Sequence, residues 1–489
     1  LNLDGQLISD MERDDLHREV YRTQGRLTSC FGYDPMGRKS WQFASTLPAD
    51  KLSGVLGSES PQLLVEHAYN PIHRRYQYDP AGELIRTLDK LRGEIQYEYE
   101  ANGQLHSRDT GKLVDSEEFR YDAAANRLNF NTSRFDHVKD NRLKQWRDQE
   151  YTYDPWGNLV EKRSGLAKWQ TFTYDCENRL VKAETLVNSQ LHSTGTYQYD
   201  SLGRRVAKQS EANGKPEHKR FLWQGLRMLR EEQPGQSSLY IYEPGSYAPL
   251  ARVDQREDEP ENTLYYFHTD QIGTPLEMTD ADGQIVWQAT YKAWGSIETL
   301  TVNEVEQNLR FQGQYFDEET GLHYNTFRYY DPEVGRFITQ DPIGLLGGVN
   351  FYQYVTNSIL WADPWGLCAD KDWGAYYSRK TGTVPPSTMV RPHAHHIVFK
   401  GTFTKSPMMQ KALDRSRAVL ERYKIDPVHD PAAMMWAENQ GHTIANAKAV
   451  ASRLEAADKA IMARDLPFGS AVSEMKTELQ KIGAEVFGT

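Results

Sequence analysis

YDPAGELIRTLDKLRGEIQYEYEANGQLHSRD, residues 78–109, holds one pattern twice: Tyr, an acidic residue, a short turn ending in Gly, a polar residue and Leu. Tyr78 and Tyr99 lie 21 residues apart. The pattern recurs at Tyr33 (YDPMGR), Tyr121 (YDAAANRL), Tyr153 (YDPWGNL), Tyr174 (YDCENRL) and Tyr199 (YDSLGRR), with 22 residues from Tyr99 to Tyr121 and 21 from Tyr153 to Tyr174. Each unit predicts strand, tight turn, strand. Asp-Pro presets the turn and Gly or Asn supplies φ > 0, while residues two apart (Tyr76 and Tyr78, Tyr97 and Tyr99, Tyr151 and Tyr153, Tyr197 and Tyr199) put aromatics on one face. A lone hairpin cannot bury its apolar face, so hairpins at this period stack side by side into one long curling sheet. Period and alternation leave open whether that sheet is hollow or a solid β-solenoid used for adhesion.

Composition agrees with a β-rich chain. Mean hydropathy is −0.73 and 38% of residues are hydrophobic, yet 28 Tyr, 11 Trp and 17 Phe argue against disorder. Aromatics stand in for aliphatics, packing well on a pleated, half-wet surface. A length of 489 residues predicts two or more structural units. No run of about 18 apolar residues occurs and no charged-then-apolar leader is seen. The chain opens at Leu1 without Met, from which we expect a fragment or processed product whose N-terminal delivery module lies elsewhere. Cys30, Cys176 and Cys368 are widely spaced and odd in number, fitting neither a disulfide framework nor a metal cluster, so synthesis in a reducing cytoplasm is expected. Net charge is −11, but residues 368–489 carry 17 Lys+Arg against 13 Asp+Glu. An acidic body with a mildly basic tail suggests different partners for each, nucleic acid being permitted for the tail.

The Tyr-Asp units resemble YD repeats, which in Rhs proteins and in the C subunits of insecticidal toxin complexes wind into a hollow β-cocoon. The resemblance continues through HTDQIGTP (268–275), TDADGQIVW (279–287), YKAWG (291–295) and RFQGQYFDEETGLHYNTFRYYDPEVGRFITQDPIGLLGG (310–348), which is similar to the Rhs core-terminal signature. It implies a mostly β chain with a YD-repeat shell over 1–310, a core-terminal autoprotease region over 311–367 and a toxin domain over 368–489. It also implies that the shell encloses the toxin, and that His268 is a structural member of its motif rather than a catalyst.

Asp341-Pro-Ile-Gly344 and Asp363-Pro-Trp-Gly366 are two DPxG motifs with 18 residues between them. Two carboxyls brought together cannot both ionise cheaply, so one keeps a proton and the pair can serve one amide as base and acid. The resemblance to Rhs proteins implies a paired-aspartate intramolecular cut between Leu367 and Cys368, with Arg328 matching an arginine associated with cleavage in toxin-complex shells. Two other readings stand beside it. Asp-Pro starts turns, as in the repeats, and Cys368 could attack its own preceding carbonyl as in inteins, although nothing after it looks like a splicing domain.

After Leu367 the texture changes. A Pro/Ser/Thr-rich stretch (381–389) leads to HAHHIVFKG (393–401), and residues 408–423 and 445–461 have helical spacing, with Leu413, Val419, Leu420 and later Ala449, Val450, Leu454 on their apolar sides. His395 and His396 are expected on a strand of a short hairpin, and His442 and Asn446 one turn apart on a helix. One imidazole deprotonating water and one divalent ion on the scissile phosphate suffice for phosphodiester hydrolysis. Ala394-His395-His396 with Asn439 and His442 resembles the AHH group of the HNH/endonuclease VII superfamily, a ββα-metal fold. Carried over, His395 is a metal ligand, His396 the general base, His442 and Asn446 further ligands, and Asn439 an orienting residue. Asn446, where relatives carry a third His, suits a harder ion, so Mg²⁺ is favoured over Zn²⁺ or Ni²⁺. His393 and His429 are left over and are read as surface residues or as neighbours of the ligands, with His429 as a substitute ligand the alternative.

The resemblance implies a secreted interbacterial effector, made in the cytoplasm and delivered into the target-cell cytoplasm by a type VI or similar route. Its partners would be DNA as substrate, a cognate immunity protein and a secretion spike or adaptor, with homo-oligomers possible. RNase, ADP-ribosyltransferase and pore-forming tails are the alternatives. The last two want an Arg–Glu pair in a β-sandwich or long apolar helices, and the tail shows neither.

Overall fold

In the computed structural model, which describes residues 1–3, 5–47, 52, 70–129, 138–367, 392–398, 407–425, 427, 430–438, 443–464 and 466–487, the aspartate of each unit builds its own turn. Asp34 Oδ1 accepts the amides of Met36 (3.0 Å) and Arg38 (2.9 Å). Asp122, Asp175 and Asp200 do the same two and four residues on. This side-chain mimic of a backbone turn is why Asp rather than Glu dominates the position. In YDAAANRL the left-handed residue is Ala125, at φ 61°, a conformation that costs a residue with a Cβ roughly 1–2 kcal/mol.

The tyrosine then ties each unit to the one before it. Tyr99 donates its hydroxyl to the Leu84 carbonyl (2.7 Å), Tyr121 to Leu105 (2.8 Å), Tyr174 to Leu159 (2.7 Å) and Tyr199 to Leu180 (2.6 Å). The acceptor is each time the residue six beyond the preceding Tyr. Those leucines are buried. Arg38 lies over the Tyr78 ring at 4.4 Å and Arg179 over Tyr199 at 5.3 Å, so the turn of one unit also covers the ring of the next by cation–π attraction.

The chain divides into two compact units, Leu1–Asp370 and Lys371–Thr489. In the first, the described strands form two long antiparallel meanders, a nine-stranded sheet from Asp10–Arg13 to Glu117–Glu118 and a fifteen-stranded sheet from Gln145–Trp146 to Ile297–Asn303. Every strand pairs with its sequence neighbour, as repeated hairpins require. A smaller sheet follows, made of Tyr315–Asp317, Leu322–Asn325, Arg328–Asp331 and Arg336–Phe337. Its side chains enter the main core: Tyr315, Tyr324 and Tyr329 pack with Phe221, Tyr240 and Trp287. His268 is buried and bonds Thr279 Oγ1 at 3.0 Å. Burial holds its pKa down to about 3, so it is neutral.

The second unit has its own core of Ile397, Leu413, Leu420, Val450, Leu454 and Leu479 among others. Helices α1 (Pro407–Arg422) and α2 (Ile444–Met462) lie where the periodicity places them. A third, α3 (Phe468–Phe487), was not anticipated; Gly483 lets it approach Ile397 and Met435. Two expectations are corrected. The strand Pro392–His396 pairs not within a short hairpin but with Met434–Glu438, beyond α1. Thr443 is the extended N-cap of α2, its hydroxyl accepting the Asn446 amide, so the helix starts after His442 and does not carry His442 and Asn446 as a one-turn pair.

Candidate active sites

Both DPxG aspartates are turn formers first. Asp341 Oδ1 accepts the Ile343 amide at 3.0 Å, and Asp363 Oδ1 accepts those of Gly366 (3.0 Å) and Leu367 (3.3 Å). Turn building occupies one oxygen of each and leaves the other free to converge. Arg328, at the head of the strand Arg328–Asp331, supplies the meeting point: its Nη2 is 2.9 Å from Asp341 Oδ2 and 3.5 Å from Asp363 Oδ2. All three side chains are buried. The guanidinium also donates to the Phe351 carbonyl (3.0 Å) and to the Gly366 carbonyl, and stacks over Phe337 at 3.6 Å.

The electrostatics separate the two acids. Burial pushes Asp363 up to about 7 against the pull of Arg328, and the nearby Asp341 adds a smaller push. Burial also raises Asp341, against the same arginine. Mutual repulsion, expected to dominate, is thus secondary to desolvation. Asp341 is the nearer of the two to the guanidinium. Among the described residues Asp363 Oδ2 accepts no hydrogen bond, and the raised pKa makes Asp363 the more readily protonated of the two near neutral pH.

Gly347 is a member of the site that sequence reading missed. A Cβ built there would overlap Asp341 Oδ2 and stand 2.8 Å from the Leu367 carbonyl oxygen. The carbonyl preceding the expected cut therefore lies beside the dyad, and only a glycine leaves room between them. The GLLGG run was its one sequence signal. A cavity of about 250 Å³ lined by Tyr199, Tyr329, Arg328, Thr339 and Pro342 opens beside the guanidinium, with room for several waters. Cys368 lies outside the described residues.

The tail constellation is described only in part. His395 pairs with Met435 and His396 with Met434 in a ladder without a bulge, and the partner strand leads to α2, whose first turn holds Asn446. Strand, strand and helix are thus in the order of a ββα unit, with α1 inserted between the strands. Asn439, His442 and His429 lie outside the described residues. Among the described residues no cluster of three or more His, Cys, Asp or Glu is assembled. No described helix is long and apolar enough to cross a membrane.

A family model described as the Teneurin YD-shell matches residues 63–357. Double-stranded DNA deaminase toxin A of Burkholderia cenocepacia (strain H111) is 44% identical over 394 residues, covering 76% of this chain and 27% of that protein. Probable deoxyribonuclease RhsA of Dickeya dadantii (strain 3937) is 34% identical over 310 residues, covering 60% of this chain and 21% of that protein. The chain thus spans under a third of the length of these curated relatives. The TcdB2–TccC3–Cdc42 crystal structure matches with a TM-score of 0.50 at 20% identity, over 75% of this chain and 20% of that one, a likeness of fold.

Proposed function

Given that this chain belongs to the YD-shell family and is of the Rhs/YD-repeat toxin kind, we propose that it is the C-terminal part of an interbacterial Rhs effector that cuts itself after Leu367 and so frees a metal-dependent DNase. The observation that carries the first half is the convergence of Asp341, Asp363 and the Leu367 carbonyl around Arg328 and Gly347. In the proposed reaction Asp341 takes a proton from water as the water oxygen bonds to the Leu367 carbonyl carbon. Asp363 gives its proton to the Cys368 nitrogen as the C–N bond breaks, and Arg328 offsets the charge that develops. One turnover consumes the site's only substrate.

The relatives' names do not decide the tail's chemistry, since a deaminase toxin and a deoxyribonuclease both resemble this chain. Its own residues favour the nuclease. The deaminase signature His-x-Glu with Pro-Cys-x-x-Cys does not occur in residues 368–489, whose single cysteine is Cys368. The amide oxygen in the first turn of α2 suits a hard divalent ion, with His395, His442 and Asn446 as its holders. When bound, that ion would draw charge from the scissile phosphate and its leaving oxygen. His396 would accept the proton of the attacking water, oriented by Asn439.

The purified chain should run as two bands on a denaturing gel, the smaller starting at Cys368, and as one species on native size exclusion. Asp341→Asn should give one band; cutting at the same bond in that variant would overturn the dyad. The freed tail should nick plasmid DNA in Mg²⁺ and fail in EDTA. His396→Ala should lose about 10²–10⁴-fold in rate while staying folded. Undiminished nicking in EDTA would overturn the metal-dependent mechanism, and no nicking under any condition would return the tail to the non-nuclease readings.

A further inference from the structure

Four successive carbonyls leading to the proposed cut are each held by one of four successive residues. Asn325 Nδ2 donates to the Asp363 carbonyl (2.9 Å), Thr326 Oγ1 to Pro364 (3.3 Å), the Phe327 amide to Trp365 (3.2 Å) and Arg328 Nε to Gly366. Residues 363–366 lie closer to their neighbours than side chains allow. A Cβ on Gly313 would run into the Pro364 backbone, and one on Gly366 would come 2.5 Å from the Asn325 carbonyl oxygen. Thr326, a β-branched residue, sits at φ 55°, a left-handed conformation that is strained for such a residue and persists only where its surroundings impose it.

The grip has a buried support. Gln314 Nε2 donates to Asn325 Oδ1 (3.0 Å), and the Gln314 oxygen bonds His323 Nδ1 (2.8 Å). With Oδ1 taken by Gln314, the Asn325 amide must turn its Nδ2 toward Asp363. All three side chains are fully buried. None of them touches the Leu367 carbonyl.

We propose that Asn325 and Thr326 are positioning residues that fix the register of residues 363–367 against Asp341 and so choose which peptide bond meets it. The inference rests on the paired-aspartate reading above. A slip of one residue along the chain would move the Leu367 carbonyl past Asp341 by up to about 3.8 Å, beyond the reach of that fixed carboxylate. Four hydrogen bonds in series make that slip costly, and only two of them are deletable through side chains that take no part in the chemistry.

The test uses the full chain, following fragment formation with time and the exact mass of the small fragment. Thr326→Val removes the hydroxyl but keeps the shape, and Thr326→Ser keeps the hydroxyl; Asn325→Leu removes the amide donor. Cutting should slow by about 10²-fold in Asn325→Leu and measurably in Thr326→Val, with small fragments beginning at residues other than 368, while Thr326→Ser cuts as the parent does. Parent rate and a single fragment mass in both Thr326→Val and Asn325→Leu would overturn the inference. So would Thr326→Ser no better than Thr326→Val with slowing that merely follows a lowered melting temperature. If Asn325→Leu does not fold, the Thr326 pair decides. Asp341→Asn run alongside separates the two claims: parent-like cutting there sinks the dyad, whereas an uncut Asp341→Asn with parent-like clamp variants sinks only the clamp.

Discussion

Asp363 shows how one buried residue can be kept for chemistry at the expense of stability. Its carboxyl is raised to about 7 from an ordinary 3.8, chiefly by burial. Between those values the folded chain holds a proton that the unfolded chain has released, so stability falls as pH rises from about 4 to 7 and levels off above. The same proton is the one proposed for the leaving nitrogen. Cutting should therefore be fastest below about pH 7 and decline above it, read from the pH dependence of fragment formation after mixing from high pH. Asp363→Asn should abolish cutting and remove the fall in stability across that window, read as a flatter urea midpoint between pH 4 and 7. A cutting rate that rises through pH 7 would contradict the assignment of Asp363 as the acid. The paired DPxG motifs pointed to Asp341 and Asp363, and the resemblance to Rhs and toxin-complex shells to Arg328. Neither identified Gly347, because a glycine that merely leaves room has no chemistry to recognise.

At the scale of the repeated element, the tyrosine hydroxyl is what a periodic alignment records without explaining. Each hydroxyl satisfies a carbonyl of the previous unit, and a net hydrogen bond contributes about 0.5–1.5 kcal/mol. Tyr174→Phe should lower the unfolding free energy of the shell by about that amount, leaving the Leu159 carbonyl without its donor, with the self-cut unaffected. The check is the urea midpoint of the variant against the parent; no change would mean that ring packing alone carries the position. The strand, turn, strand reading needed only short-range rules and holds at these repeats. The tail was harder to read. Its helices came from periodicity, but the Pro392–His396 strand takes a partner 38 or more residues away, and no short-range pattern marks such a pairing. The Thr443 N-cap was legible in principle, since Thr before an apolar run is a helix start.

For the whole shell unit, the deciding feature is the seam between the two long sheets. Glu277, on the fifteen-stranded sheet, meets Arg74 of the nine-stranded sheet and Arg92 of the turn between two of its strands, Arg92 at 2.5 Å, while Asp89 bonds Arg74 at 2.8 Å and Arg92 at 3.1 Å. These four charges are buried and balance one another. Burial would raise the Glu277 carboxyl, but Arg74 and Arg92 hold it below the ordinary range, so its contribution is present above about pH 4.5 and is lost in stronger acid. Glu277→Ala leaves two buried guanidiniums sharing one carboxylate, which should cost about 3–5 kcal/mol. We expect a two-step urea unfolding in that variant, with the sheets melting separately, seen by tryptophan fluorescence. A single transition at the parent midpoint would show that the seam is held by other contacts.

By itself the sequence determined the repeat, the turns, the β class, the change of texture after Leu367 and the identity of the paired aspartates. All of these are carried by interactions a few residues apart or by a motif dense enough to recognise. Only the tertiary structure decided that Arg328 lies between the two acids, that Gly347 and the Asn325–Arg328 segment lie against the residues leading to the proposed cut, and that Glu277 joins one sheet to the other. Those contacts join residues 13 to more than 180 positions apart. Their partners are common charged and polar types with no local signature, and burial, which gives each contact its energy and its pKa, exists only once the sheets have closed on one another.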